Sequence, residues 1–261
     1  LQLTLYVFLF LSGASVGFLS GLLGIGGGIV MFPLLHYMPE VFGLANIPVK
    51  DVTGLTMVQG FFASLSAMLF YNKQRLVNKE LVLTFGISMF LSSFAGSLFS
   101  KMSSDKLLLF IFGLLALTAA IMMFIPRTYL HDDLKADEVN IHRTKAALIA
   151  LVLGFFLGMV GQGGAFIVIP VFLYVLKIPM RVALGSMLAV GLFSSTAGVA
   201  GKVITGQVPF HMVAALILGA IPAARLGGYV GQRTHTKFLR WLLAAIISGT
   251  AAKVLLDIFS Q

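Results

Sequence analysis

The apolar run that opens the chain is interrupted, where a membrane helix should continue, by Gly21-Leu22-Leu23-Gly24-Ile25-Gly26-Gly27-Gly28, a stretch that leads to Pro33. Adding 137 to each number lands on Gly158-Met159-Val160-Gly161-Gln162-Gly163-Gly164-Ala165, which leads to Pro170. A matched interruption marks an internal repeat and constrains every other reading of the chain. Further along the register shifts: Ile47-Pro48-Val49-Lys50 matches Ile178-Pro179-Met180-Arg181 at an offset of 131. Gly54, Gly60, Phe62, Ser64 and Gly96 then match Gly185, Gly191, Phe193, Ser195 and Gly227. The duplication covers nearly the whole chain, with a connection six residues longer in the first half.

With 59% hydrophobic and 10% charged residues, the chain has too little polar surface to cover a soluble globule, so it is read as an integral membrane protein. Its 18 basic residues against 9 acidic ones do not indicate nucleic acid, because they are scattered singly between apolar runs. The absence of cysteine excludes disulfides, thiolate metal sites and thiol nucleophiles. The first run, roughly 3–19, could be mistaken for a signal peptide because Gly13-Ala14-Ser15 supplies small residues for cleavage, but residues 146–160 repeat it before the second glycine stretch, so it belongs to the fold.

Runs of spanning length fall near 3–20, 50–71, 79–100 and 105–125, and again near 144–160, 181–202, 209–231 and 236–259. A shorter apolar piece follows each glycine stretch, near 29–38 and 165–176. Basic residues decide whether these pieces cross. If they do not, the basic residues divide nine against nine. If they do, Lys50, Lys101, Lys106, Lys202 and Lys253 fall on one side and the other thirteen on the opposite side. The expected fold is therefore an all-α polytopic membrane protein of two inverted repeats, about five segments each, with glycine-broken helices meeting near the membrane midplane. The expected divisions are a first repeat over 1–125, a cytoplasmic linker over 126–143 and a second repeat over 144–261, with both termini outside.

A broken helix leaves backbone N–H groups and a positive dipole end free for an anion. Gly24, Gly26, Gly27 and Gly28, with Gly161, Gly163 and Gly164, would let the backbone approach one closely. The glycines upstream, Gly13, Gly17 and Gly21, are spaced by four and read as a packing face. Neither glycine cluster has the following Lys-Ser/Thr of a nucleotide loop. Gln162 places an amide at the second break, either to meet an anionic oxygen or to cap the helix. Gln59, with Thr53 and Thr56 on the preceding turns, should face the interior, and Ser186, Ser194, Ser195 and Thr196 are the polar residues of the corresponding span. Arg225 lies well inside a span and has two readings: an anion-attracting charge, or a side chain reaching back to the headgroups. Lys253 and Asp257 are read as a pair or as headgroup-reaching side chains. His36 and His211 lack neighbours at ligand spacing, and Asp51, Glu80 and Asp105 sit at run ends, so neither a metal nor a carboxylate proton relay is expected.

The paired glycine stretches, each followed by a proline-basic start to the next span and a small-residue run such as Leu184-Gly185-Ser186, resemble the TauE/SafE sulfite exporter family. The resemblance spans essentially the whole chain. It implies a secondary transporter of the inner membrane that moves sulfite, sulfonates and related small sulfur-containing anions, mainly outward. The expected partners are that anion and the lipid bilayer, with self-association open and no cofactor. Rival readings are an importer or channel for another small anion, or a scaffold that does not transport. A membrane enzyme would need a nucleophile, base or metal constellation, and spacing assembles none.

Overall fold

The computed structural model describes residues 2–44, 46–71, 77–125, 139, 141–161 and 165–260. The described residues form ten helices: α1 (Gln2–Leu23), α2 (Gly28–Val41), α3 (Val49–Tyr71), α4 (Lys79–Phe99), α5 (Asp105–Phe124), α6 (Arg143–Val160), α7 (Ala165–Pro170), α8 (Met180–Ile204), α9 (Phe210–Arg233) and α10 (Thr236–Ser260). Five precede the stretch expected to be a linker, 126–143, and five follow it. Residues 126–138 and 140 of that stretch lie outside the described residues.

Local chemistry sets several boundaries. Asn78 Oδ1 accepts from the Leu81 N–H at 2.8 Å and starts α4, and Ser104 Oγ accepts from the Leu107 N–H at 3.2 Å and starts α5. Helix α7 continues past Pro170 as a π-helical turn over Val171–Val175. Proline has no N–H to give and its ring crowds the preceding turn, so the ladder widens there. Helices α1, α4, α5, α6, α8 and α9 are long and apolar enough to cross a membrane, whereas α2, at 14 residues, is shorter than a span. Outward faces are apolar, as lipid requires: Leu83, Ile87 and Leu91 on α4, Phe110, Leu114 and Ile121 on α5, Leu148 and Val152 on α6.

Small residues decide which helices pair. Gly13, Gly17 and Gly21 of α1 rest on the backbone of Leu216, Ala220 and Ala224 of α9, a constant step of 203 that makes the two helices parallel. Gly154 and Gly158 of α6 rest likewise on Met89 and Ser93 of α4, a step of 65. At most of these five positions a Cβ would run into a carbonyl of the facing helix. Backbone contact this close is how membrane helices gain dispersion energy without a hydrophobic drive. In the centre Met57 opposes Gly198 and Ala67 packs on Leu188, so α3 and α8 run antiparallel.

The principal pairings are unchanged when the halves are exchanged. Helix α1 packs on α9 as α6 packs on α4, α3 on α9 as α8 on α4, and α2 on α10 as α7 on α5. Helix ends follow the same plan. The rings of Phe8 and Phe42 lie 5.9 Å apart, so α2 returns to the end of the bundle where α1 begins. Lys50 Nζ donates to the Lys101 carbonyl at 2.9 Å, placing the start of α3 and the end of α4 at that end too. At the opposite end Arg143 pairs with Glu80, and Arg181 donates to the Gln232 carbonyl at 3.1 Å.

Candidate functional site

Helix α1 stops at Leu23 because the next residues leave helical geometry. Gly24, Gly26 and Gly27 have φ of +64°, +62° and +76°, a region that costs an L-residue about 1–2 kcal/mol. The chain folds back along α1 until Gly27 lies beside Val16, and α2 begins at Gly28. Only from Val30 and Met31 do backbone N–H groups find the Gly27 carbonyl, at 3.1 and 3.0 Å. No side chain among the described residues caps this helix start. Its first N–H groups and the positive end of its dipole therefore lie inside the bundle.

The surface against which this break rests is the middle of α3. A Cβ on Gly27 would sit 3.0 Å from Gln59 Nε2 and 3.1 Å from Oε1, and one on Gly60 would sit 3.3 Å from the Gly26 carbonyl oxygen. Gln59 is fully buried, and both its amide atoms lack a hydrogen-bond partner among the described residues. Such a group costs about 1–3 kcal/mol, so its position needs a reason other than stability. Thr56 shares this face one turn earlier and is also buried, its hydroxyl proton given to the Val52 carbonyl at 2.6 Å. Ser194 lies on the central stretch of α8, level with Gln59 in the antiparallel pair, and its buried Oγ likewise has no partner among the described residues.

The second break is seen at its start. Gly161 ends α6 with φ +75° and packs on the backbone of Thr53, too closely for any side chain. Gln162, Gly163 and Gly164, expected to complete it, lie outside the described residues. Beside it stands a residue that sequence reasoning placed among loop cations. Lys202, in the last turn of α8, is completely buried instead. Its ammonium donates to Ser100 Oγ at 2.7 Å, Thr53 Oγ1 at 2.8 Å, Gln207 Oε1 at 3.0 Å and the Met159 carbonyl at 3.1 Å. These acceptors come from four places in the fold: α3, the end of α4, the end of α6 and the turn after α8. The signal in the sequence was faint: a lysine after Ala200-Gly201, followed by Thr205 and Gln207, residues able to surround it.

Two expected residues lie elsewhere. Ser186 Oγ accepts the backbone N–H of Asn78 at 3.0 Å, where the turn before α4 meets α8. Arg225 is exposed on the outside of α9, next to the outward Leu226, while its neighbour Ala224 faces Gly21. Arg225 is thus exposed, whereas the glycine break is buried. Lys253 Nζ lies 4.8 Å from the Tyr37 ring, and the side chain of Asp257 is outside the described set.

Comparison with known proteins finds membrane transporters. The family model described as sulfite exporter TauE/SafE matches residues 9–254. A Bacillus subtilis (strain 168) protein named "Probable membrane transporter protein YunE" is 24% identical over 257 residues, covering 93% of this chain and 94% of the relative. A probable membrane transporter protein of Methanocaldococcus jannaschii is 28% identical, covering 94% and 93%, and one of Xylella fastidiosa (strain 9a5c) is 32% identical, covering 70% and 68%. No solved structure matches the chain.

Proposed function

The chain belongs to the TauE/SafE sulfite exporter family of membrane transporters, and from that premise we propose that it is a secondary transporter carrying sulfite or a related small sulfur-containing anion, such as a sulfonate, outward across the inner membrane. The observation that carries this reading is the buried amide of Gln59, without a partner among the described residues, set against the start of α2, which no described side chain caps. Backbone N–H groups at a helix N-terminus and a neutral amide donor suit a compact oxyanion, because they replace its water without fixing it in a salt bridge.

In this proposal the substrate passes Gly24, Gly26, Gly27 and Gly28 with Gln59 and Thr56 on one side. Gly161, Gln162, Gly163 and Gly164 with Ser194 supply the counterpart from the second half. The two repeats, 1–125 and 144–261, are inserted upside down relative to one another about the linker at 126–143. The exchange-invariant helix pairing and the antiparallel α3 and α8 support that arrangement. It puts both termini outside and the linker in the cytoplasm, on the side of the thirteen basic residues.

The test is flux of labelled sulfite in vesicles reconstituted with the purified chain, with sulfonates as competitors. Saturable sulfite movement that sulfonates inhibit, abolished by Gly26→Leu in protein that still purifies folded, is the expected outcome. Flux of neither anion, or undiminished flux in Gly26→Leu, would overturn the reading.

A further inference from the structure

We infer that the first glycine break takes its anion in singly protonated form and that Gln59 recognises the O–H the anion carries; this rests on the anion-transport reading above. An amide has one end that donates and one that accepts, whichever way it is turned. Both ends of Gln59 are buried without a partner among the described residues, and a Cβ on Gly27 would stand 3.0 Å from one and 3.1 Å from the other. A fully deprotonated oxyanion satisfies only the Nε2 end and sets its negative oxygens against Oε1.

Two more oxygens on this surface are acceptors. Thr56, one turn before Gln59, gives its hydroxyl proton to the Val52 carbonyl at 2.6 Å, which leaves its lone pairs for a donor. The Gly26 carbonyl oxygen lies against the same turn of α3, 3.3 Å from where a Cβ of Gly60 would be. The donors are the first N–H groups of α2 and Nε2 of Gln59. Donors and acceptors together fit a ligand that offers both. That ligand is an oxyanion with one proton left on an oxygen, its bare oxygens toward the helix start and its O–H toward Oε1. A simple sulfonate has the same charge and no proton to give.

Nothing titratable lines the break itself. Residues 16–29, which end α1 and make the break, 52–66 of α3 and 184–198 of α8 contain no Asp, Glu, His, Lys, Arg or Tyr. On the helices that touch the break, charged and histidine side chains stand outside those stretches: His36 and Glu40 late in α2, Lys50 and Asp51 at the start of α3, Arg181 and Lys202 toward the ends of α8. Helix α9, packed on α1 and α3, adds His211 and Arg233 near its ends and the exposed Arg225. Their ionisation acts on any bound anion, whereas the ligand's own O–H titrates only in a ligand that has one.

Calorimetry on the purified full chain tests this with two probes. Selenite is a pyramidal oxyanion that carries one O–H when singly protonated, and methanesulfonate is a monoanion with no proton to lose over the same pH range. Selenite affinity should fall about tenfold for each pH unit above its second ionisation, because only the protonated fraction binds, while methanesulfonate stays weaker and nearly level. A site that read charge alone would bind the dianion more tightly, which is the opposite sign. Gln59→Met should remove the advantage of selenite over methanesulfonate below that ionisation. Equal affinities for the two anions there, a selenite affinity that holds or rises through the ionisation, or an advantage that survives Gln59→Met overturns the proposal and leaves the transport reading standing. A parent chain that binds neither anion also overturns it, and sulfite flux in vesicles then decides the transport reading separately.

Discussion

Gly161 sits directly on the backbone of Thr53, so closely that no side chain fits between them. The first half repeats the relationship: Gly24 sits on Leu184, the residue 131 positions beyond Thr53. Each half's broken segment is thus seated on the long central helix of the other half.

Gly161→Ala should destabilise the protein through two effects, a left-handed φ and a clash with Thr53, together roughly 2–4 kcal/mol. Gly206, with φ +71° and nothing within 4 Å of its missing Cβ, isolates the first effect. Gly206→Ala should cost about 1–2 kcal/mol. Thermal unfolding of both variants in one detergent compares them, and equal shifts would contradict the seating.

Gln59→Met removes two unpartnered polar atoms and keeps the volume. The melting temperature should therefore hold or rise, by up to about 1–3 kcal/mol of stability. Sulfite flux should fall at least about tenfold, the equivalent of one lost hydrogen bond to a charged group. A variant that loses stability and transports normally would assign Gln59 to packing.

Arg225 is exposed on α9, a helix that packs chiefly on α1 and α3 rather than on α2. Arg225→Gln should leave the apparent affinity for sulfite within about twofold, well under 1 kcal/mol, and Arg225→Lys should be silent. Transport kinetics in vesicles decide this. A large rise in the concentration for half-maximal flux would return the arginine to the anion path.

Because the chain has no cysteine, single thiols report sidedness without background. Lys101→Cys and Lys145→Cys are both at exposed positions, at opposite ends of the bundle. A membrane-impermeant maleimide added to intact cells should label the first and spare the second. Labelling of both, or the reverse, would refute the orientation proposed from the basic residues.

Much of this organisation is legible in the sequence because it depends on residues with few alternatives. Glycines that recur at a fixed offset mark the ends of α1 and α6, where Gly24 and Gly161 take positive φ, and a glutamine among apolar residues must turn inward, as Gln59 does. What periodicity hides is the partner. The four-residue spacing of Gly13, Gly17 and Gly21 shows that a close neighbour exists, but nothing local shows that it is α9. Lys202 was hidden for a related reason. At the end of an apolar run a lysine ordinarily reaches water, and only the turn that brings Gln207 back over it closes that route. The π-helical turn after Pro170 was equally hidden, since Pro33 occupies the matching place in α2 without one.

The parallel pairing of α1 with α9 also sets an order of events during synthesis. Leu216 follows Gly13 by 203 residues, which at roughly 5–20 residues per second leaves the first glycine ladder without its cover for about ten to forty seconds. Lipid or the insertion machinery must occupy that groove in the interval. Helix α6, by contrast, emerges with its partner α4 already in place. The two chemically similar interfaces are therefore completed far apart in time, and the half made first is the half that waits longest for its structure.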